Sequence, residues 1–576
     1  MKPTKSFKLC PNNIDNLLFD EACLHIYNQF KDTVHLKSIS SECYQCDTIQ
    51  WYNNLHPGKN VSLVVPAIHY LKFDFLSENK SYCLKEVPFG QHGVYQWIIN
   101  GDCMDINEVV PPQNPVIPLY ILMAIIFGVM ILSIIINIIC NSHMMTYLFT
   151  RNSLSTLLEN DLGHPDSSGE SVASGLISEL VPIRRTIKKR IESLDTFRGL
   201  TITLMIFVNY GGGKYWFFKH SPWNGITIAD LVFPWFAWIM GLSLVLRYRS
   251  ELRARVRRRN VLFSSLVRAV SLLAIGFLLN NLNNTDISDS RIPGVLQRLA
   301  VAHGIVATLE ILFIRRQPAF QFGNYLDLWE SWRQWLVIIC LVILHTFVTF
   351  TLKVPGCPKG YLGPGGLHEH SEYFNCTGGA TGYIDRIVFG EKQIYQNPTS
   401  KHVYHSTMPF DPEGLLGILT TCLTVYLGVQ AGQILLCYLL TKGRIMRWMF
   451  WSLITLISAG FLCNWSQEDG LIPVNKNLWS LSYALLTSSF AFILLSILYI
   501  NIDHFHFWSG APFNFAGKNS ILLYVGHYVM KDTLPFRWKV TITNSHSEYL
   551  ATCVTGTILW LCIAAFLHRK NWFLSI

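Results

Sequence analysis

Apolar residues in this chain gather in long unbroken runs, not in the 3.6-residue stripes that cover a soluble core. The stretch 117–140 carries no charge at all, and about twenty such residues in a helix cross the ~30 Å hydrocarbon layer of a bilayer. Further runs lie near 194–210, 226–246, 261–280, 294–314, 335–352, 414–440, 445–463, 478–500, 515–534 and 549–567. Before the first run the pattern changes, and short stretches such as 61–65 and 94–99 take the two-residue period of strands. The pattern predicts a polytopic α-helical membrane protein of about eleven transmembrane helices, preceded by a small, β-rich, disulfide-bonded N-terminal domain. The expected divisions are 1–116 for that domain, 117–140 for the first transmembrane helix, 141–193 for a linker and 194–576 for a ten-helix transmembrane domain. The linker is expected to be flexible, because 151–175 is rich in Ser, Gly and Asp.

Of the 576 residues, 50% are hydrophobic and only 14% charged, with a formal net charge of +9. A soluble globule, a disordered chain and a nucleic-acid binder are thereby excluded, and the positive excess bears first on orientation. Cytosolic loops retain Lys and Arg. Such residues follow the first span (Arg184, Arg185, Lys188, Lys189, Arg190), the third (Arg247 to Arg259), the fifth (Arg315, Arg316), the seventh (Lys442, Arg444) and the last (Arg569, Lys570). These loops share one parity, which puts the N-terminus in a lumen and the C-terminus in the cytosol. The glycosylation sequons at Asn60, Asn79, Asn283, Asn375 and Asn464 all fall on the other parity, the side on which glycosylation acts. Cys10, Cys23, Cys43, Cys46, Cys83 and Cys103 precede the first span, and Cys357 and Cys376 follow the sixth. Even numbers on an oxidising side suit disulfides, whose pairing the spacing does not decide. Met1 to Asp20 lacks the apolar core of a signal peptide, so either the start is truncated or processed, or the first span itself directs translocation.

Ionisable groups inside spans are costly and tend to face a pathway or a site, although any one of them serves equally well as a satisfied helix contact. Two groups separate by depth. Asp195, Arg198 and Arg268 lie toward the cytosolic ends, near the arginine-rich loop, and form a cationic mouth that suits a route for an anion. Asn209, Asp230, Arg298 and His527 lie toward the lumenal ends, with His220 just outside. His220 reads either as an interfacial aromatic-belt residue or as a base working near neutral pH. Asn209 can donate to a developing oxyanion. Asp230, Arg298, Asn477 and His527 are candidates for orienting a substrate or His220. No metal site is expected, since HExxH spacing is absent and His368 and His370 read as surface residues.

The stretches SLDTFRGLTITLMIFVNYGGGKYWFFKHSPWNGITIADLVFPWFAWIMG, RIPGVLQRLAV, VPGCPKGYLGPGG, NCTGGATGYIDR, FDPEG, LGVQAG, IPVNKNLWSLSY and NSILLYVGH closely resemble the lysosomal heparan-alpha-glucosaminide N-acetyltransferase family. The likeness runs from Ser193 to the C-terminus and, more faintly, through the N-terminal domain. It implies transfer of an acetyl group from cytosolic acetyl-CoA across the lysosomal membrane to the terminal non-reducing glucosamine of heparan sulfate. It also implies that His220 is the catalytic histidine and Asn209 its partner in the acetyl site. Lysosomal sorting rests on the resemblance, because Leu157-Leu158 lacks the acidic residue four positions before it. A homodimer associating through the spans is compatible with the sequence. His220 is expected to be kept neutral by partial burial or by Arg298 and Lys219, as either a nucleophile or a general base. Two rival readings stay open. One is an organic-anion transporter, disfavoured by the lack of an internal repeat; the other is an acyltransferase acting on a different sugar.

Overall fold

The computed structural model describes residues 8–77, 80–100, 106–141, 191–282, 284–314 and 326–574. The expected linker, Arg315, Arg316, Cys103 and the sequons at Asn79 and Asn283 lie outside them.

Eight strands form the N-terminal domain: β1 (Glu21–Asn28), β2 (Val34–Ser40), β3 (Ile49–Leu55), β4 (Asn60–Pro66), β5 (Leu71–Ser77), β6 (Lys80–Val87), β7 (Val94–Ile99) and β8 (Asn107–Val110). They pair as two four-stranded sheets, ordered β4-β1-β7-β8 and β3-β2-β5-β6, antiparallel except for the β1–β7 pair. In β5 the side chains of Leu71, Phe73 and Phe75 are buried while Lys72 and Asp74 are partly exposed, as a strand with one covered face requires. Phe73 packs edge-on against both Phe89 and Trp97, which joins the two sheets through one core. Disulfides link Cys10 to Cys23 and Cys43 to Cys46. Both stretches with a two-residue period are strands, β4 and β7.

Helix α1 (Ile117–Asn141) belongs to a separate compact unit. Its described side chains are largely exposed apolar groups, which suits a helix surrounded by lipid. Besides a single turn at Ser400–Val403, the other described helices are α2 (Glu192–Asn209), α3 (Ile228–Arg253), α4 (Arg258–Asn280), α5 (Val295–Phe313), α6 (Leu326–Thr351), α7 (Gly379–Phe389), α8 (Gly417–Cys437), α9 (Thr441–Leu462), α10 (Leu481–Leu498), α11 (Phe513–Lys518), α12 (Ser520–Val529) and α13 (His546–Arg569). Among the described residues, eight helices are long and apolar enough to cross a membrane: α3, α4, α5, α6, α8, α9, α10 with its extension to His504, and α13. The expected second span is helical, yet Glu192, Asp195 and Arg198 make its first half polar. The expected tenth span is two short helices broken at Asn519. Its side chain turns away to bond Trp572 and Leu574, which ties the break to the segment after α13.

The bundle is held by backbones in direct contact, the way helices associate where lipid removes the hydrophobic gain. α8 sits at its centre, nearly all of its residues buried. A Cβ at Gly241 would lie 1.8 Å from the Val425 carbonyl oxygen, and one at Gly428 would lie 1.8 Å from that of Trp238. α2 and α11 repeat the device, with Gly199 against Phe513 and Gly517 against Asp195.

The β domain docks on one face of this bundle. Tyr44 donates to Asp469 at 2.5 Å, Tyr404 donates to the Glu42 carbonyl at 3.2 Å, and His370 meets Asp47 at 2.7 Å. Buried His546, at the start of α13, faces acceptors on both sides: Asp20 of the β domain at 3.0 Å and the Gly213 carbonyl at 2.9 Å. Every one of these bundle segments belongs to a loop of the parity expected for the lumen, so those loops do share one face.

Candidate active site

α2 ends at Asn209 because four residues with left-handed backbone follow: Gly211, Gly212, Gly213 and Lys214, with φ of 113°, 55°, 64° and 67°. Only glycine takes such angles without penalty, so the triple glycine lets the chain reverse and return toward α3. That return places His220 opposite the first turn of α3. Asp230 occupies the third position of that turn, and Thr227 is the N-cap.

The Asp230 carboxylate is wholly buried and its two oxygens divide the work. Oδ2 accepts the N–H of Ser221 (3.2 Å), the N–H of Thr227 (3.1 Å) and the Thr227 hydroxyl (3.0 Å). Oδ1 accepts His220 Nδ1–H at 2.7 Å. Lys476 Nζ lies 2.9 Å from the same Nδ1 and 3.6 Å from Oδ1. One nitrogen cannot donate to the carboxylate and accept from an ammonium together, so Lys476 acts as the counter-charge of Asp230. Nε2 of His220 then carries the lone pair, with no hydrogen-bond partner among the described residues and with the ring 39% exposed. An Asp–His pair of this form fixes the tautomer and leaves the outer nitrogen free to take a proton.

The backbone beneath Asp230 is secured by a further compensation. Pro234 has no N–H to give the Asp230 carbonyl four residues before it, and the Tyr483 hydroxyl of α10 donates there instead. Lys476 is held by the 473–480 turn. Gly225 N–H bonds the Val474 carbonyl at 2.8 Å, Asn475 donates to the Asn224 side chain at 2.9 Å, and Asn475 accepts from Leu478 N–H at 2.9 Å.

Asn209 belongs to a second pair. His527 Nδ1–H donates to the Leu523 carbonyl at 3.0 Å, which leaves Nε2 to accept Asn209 Nδ2–H at 2.9 Å. His527 is buried and orients the amide. Asn477 is buried one residue beyond Lys476. Arg298 is also buried; its guanidinium lies over Trp479 at 5.0 Å and donates to the Gly414 carbonyl at 2.8 Å. The cation standing at His220 is therefore Lys476. Glu413 bonds Arg291 at 2.6 Å beside the two-pronged Arg291–Asp411 pair, and Asp385 Oδ1 accepts Leu415 N–H at 2.8 Å, so both acids organise loops. Burial, with the like charge of Asp411 adding to it, pushes the Asp385 carboxyl up to about 7.

Toward the opposite face, Arg198 donates to Ser243 at 2.6 Å and lies 3.5 Å from Asp195. Its charge and that of Arg247 act on Arg268, whose buried Nε has no hydrogen-bond partner among the described residues. Arg198 is offset by Asp195 and Arg247 by Glu251 at 2.8 Å, which leaves the orphaned donor of Arg268 as the group best suited to a phosphate. The described sequons Asn60, Asn375 and Asn464 are all exposed, and Cys357 is disulfide-bonded to Cys376.

The sequence brought Asp230 and His220 forward as separate candidates, and the fold joins them. Lys476 and Tyr483 were missed. Nothing local marks them, since each meets the site from across the bundle, although Lys476 stands in the IPVNKNLWSLSY stretch.

No family model matches the chain. It is 38% identical to the mouse (Mus musculus) heparan-alpha-glucosaminide N-acetyltransferase over 97% of its own length and 89% of that protein. It is 40% identical to the human (Homo sapiens) protein of the same name, over 97% of its length and 88% of that protein. With that identity extending over 97% of its length, the chain belongs to the heparan-alpha-glucosaminide N-acetyltransferase family.

Proposed function

We propose that this chain is a lysosomal multi-pass acetyltransferase. It moves the acetyl group of cytosolic acetyl-CoA to the terminal non-reducing α-glucosamine of heparan sulfate on the β-domain face. The observation that carries the reading is the buried Asp230 fixing His220 Nδ1–H, with Nε2 left open.

In this reading both substrates are bound together. Arg198 and Arg268 hold the phosphates of acetyl-CoA, and the thioester reaches Asn209, whose remaining amide hydrogen donates to the carbonyl oxygen as it gains charge. His220 Nε2 takes a proton from the glucosamine ammonium, and the freed amine attacks the thioester carbon. The C–N bond forms, the tetrahedral oxyanion collapses, the C–S bond breaks and CoA leaves as the thiolate. The second amine proton passes to solvent or to that thiolate. Asp230 stabilises the imidazolium, and Lys476 keeps Asp230 ionised. With the N-terminus lumenal and the C-terminus cytosolic, the amine acceptor and the multiply charged donor never have to cross the membrane.

The test supplies acetyl-CoA to one side of sealed vesicles and a glucosaminide to the other, with wild type and His220→Ala. Acetylated sugar from wild type alone supports the proposal, whereas CoA accumulating on the far side would indicate a transporter. Intersecting rather than parallel initial-rate lines support the sequential order. Charge reversal at Arg198 or Arg268 raises the acetyl-CoA KM far more than the glucosaminide KM.

A further inference from the structure

Against Tyr210, whose ring centre lies 6.4 Å from that of His527, is a cavity of about 250 Å³. At ~30 Å³ per water it has room for about eight waters, enough for one substituted sugar ring. Its floor is Tyr210 and Cys553, its aromatic walls are Trp538 and Tyr549, and Gly211 brings backbone to its edge. The charged residues that line it are Lys214, Arg537 and Lys539, with no acid among them. Two acids adjoin the lining without belonging to it: exposed Asp532 reaches Arg537 at 3.1 Å, and Glu548 accepts from Trp538 and from the N–H groups of Thr541 and Ile542, which leaves Lys214 and Lys539 without an acidic partner in the lining. Lys214 Nζ stands 5.9 Å from the centre of the Tyr549 ring, held on the left-handed backbone that follows the triple glycine. Beyond the cavity the charges are mixed, since Lys219, the neighbour of His220, feels Asp20 and Glu42 as well as Lys214.

Aromatic walls with a cationic lining and polar, open access match an acidic saccharide: the rings cover the C–H faces of the sugar, and the cations take its oxyanions. We propose that this cavity is a subsite for the acidic sugar that follows the acceptor glucosamine, its sulfate or carboxylate held by Arg537, Lys539 and Lys214. The inference rests on the acetyltransferase reading and adds to it a reason for the enzyme to prefer polyanionic chains to free glucosamine.

The experiment uses the full-length protein as wild type, Arg537→Gln, Lys539→Gln and the double variant. Two acceptors are compared, a neutral methyl α-glucosaminide and an acidic disaccharide with a terminal α-glucosamine and a sulfated uronate. Losing one cation from a charge-assisted contact should raise KM for the acidic acceptor about tenfold. kcat and the constants for the neutral acceptor stay as in wild type, which also certifies folding. The wild-type preference for the acidic acceptor should shrink with added salt. Equal effects on both acceptors, or no wild-type preference, overturn the subsite. If the variants instead lose a dependence on anionic lipid, the cavity holds a phosphate headgroup and the proposal is likewise overturned. Titration calorimetry with an N-sulfated disaccharide, which has no amine to acetylate, reads the subsite without turnover. Weaker binding by the double variant upholds it even if no glucosaminide is acetylated, and unchanged binding rejects it.

Discussion

Replacing Asp230 with Asn separates what its two oxygens do. The three bonds to Ser221 and Thr227 all fall on Oδ2, so an amide oxygen placed there keeps the start of α3 intact. The amide NH₂ then faces His220 Nδ1 where a carboxylate oxygen accepted a hydrogen bond. An NH₂ can only donate, which forces the ring proton onto Nε2 and removes the base. The lost charge-assisted bond is worth about 1.5–3 kcal/mol. Opposite charges about 4 Å apart at an effective dielectric of 20 add about 4 kcal/mol. With the ring 39% exposed, solvent screening reduces that second figure by about half. The two overlap, so about 3–4 kcal/mol of transition-state stabilisation is lost, a fall in kcat of about 10²–10³-fold. Both KM values should stay within about twofold, because neither substrate is bound by Asp230. Initial rates with each substrate varied, alongside thermal unfolding, provide the assay. A folded variant with kcat within about fivefold of wild type would refute the dyad as the source of the base.

His527→Phe removes the acceptor that orients Asn209 and should lower kcat about 10-fold, less than Asn209→Ala at about 10²-fold, since in the proposed mechanism only Asn209 meets the oxyanion; equal losses would put His527 in direct contact with substrate. Asp385 binds its proton more tightly folded, with a value of about 7, than unfolded, so it contributes stability that is complete below about pH 4 and disappears as pH rises through 7. Asp385→Asn should therefore raise the unfolding temperature at pH 7.5 and leave it little changed at pH 4; a constant difference across that range would contradict the assignment. Gly428→Ala drives a methyl into the Trp238 carbonyl and should cost at least about 1–3 kcal/mol, seen as a lower unfolding temperature. Ala at Gly128 of α1, where a Cβ meets nothing within 4 Å, is the control and should leave it unchanged.

The membrane fold was legible because crossing hydrocarbon imposes length and apolarity on each helix separately, and each of the eight apolar helices overlaps a run read from the pattern. The break at Asn519 was not, because a helix interrupted by a side chain that bonds a distant carbonyl keeps the same composition. The strands β4 and β7 could be read from their period, whereas their sheet partners depend on contacts far along the chain. At the site, His220 and Asp230 were visible as polar groups near span ends. Their pairing, and the arrival of Lys476 from the 473–480 turn, come from tertiary packing that no local pattern encodes. The division between Asn209 with His527 and His220 with Asp230 was likewise hidden.

His546 has a consequence that reaches beyond its own contacts. A single imidazole bonds Asp20 on one side and the Gly213 carbonyl on the other, so docking of the β domain and ordering of the glycine loop are two equilibria with a shared member. Coupling of that kind is reciprocal. Whatever free energy the docked domain contributes to holding the loop, an acceptor sugar that orders the loop must return as tighter docking of the domain. The β domain is in this sense an effector permanently tethered to its receptor, and substitutions at its base belong with the kinetic variants of the enzyme.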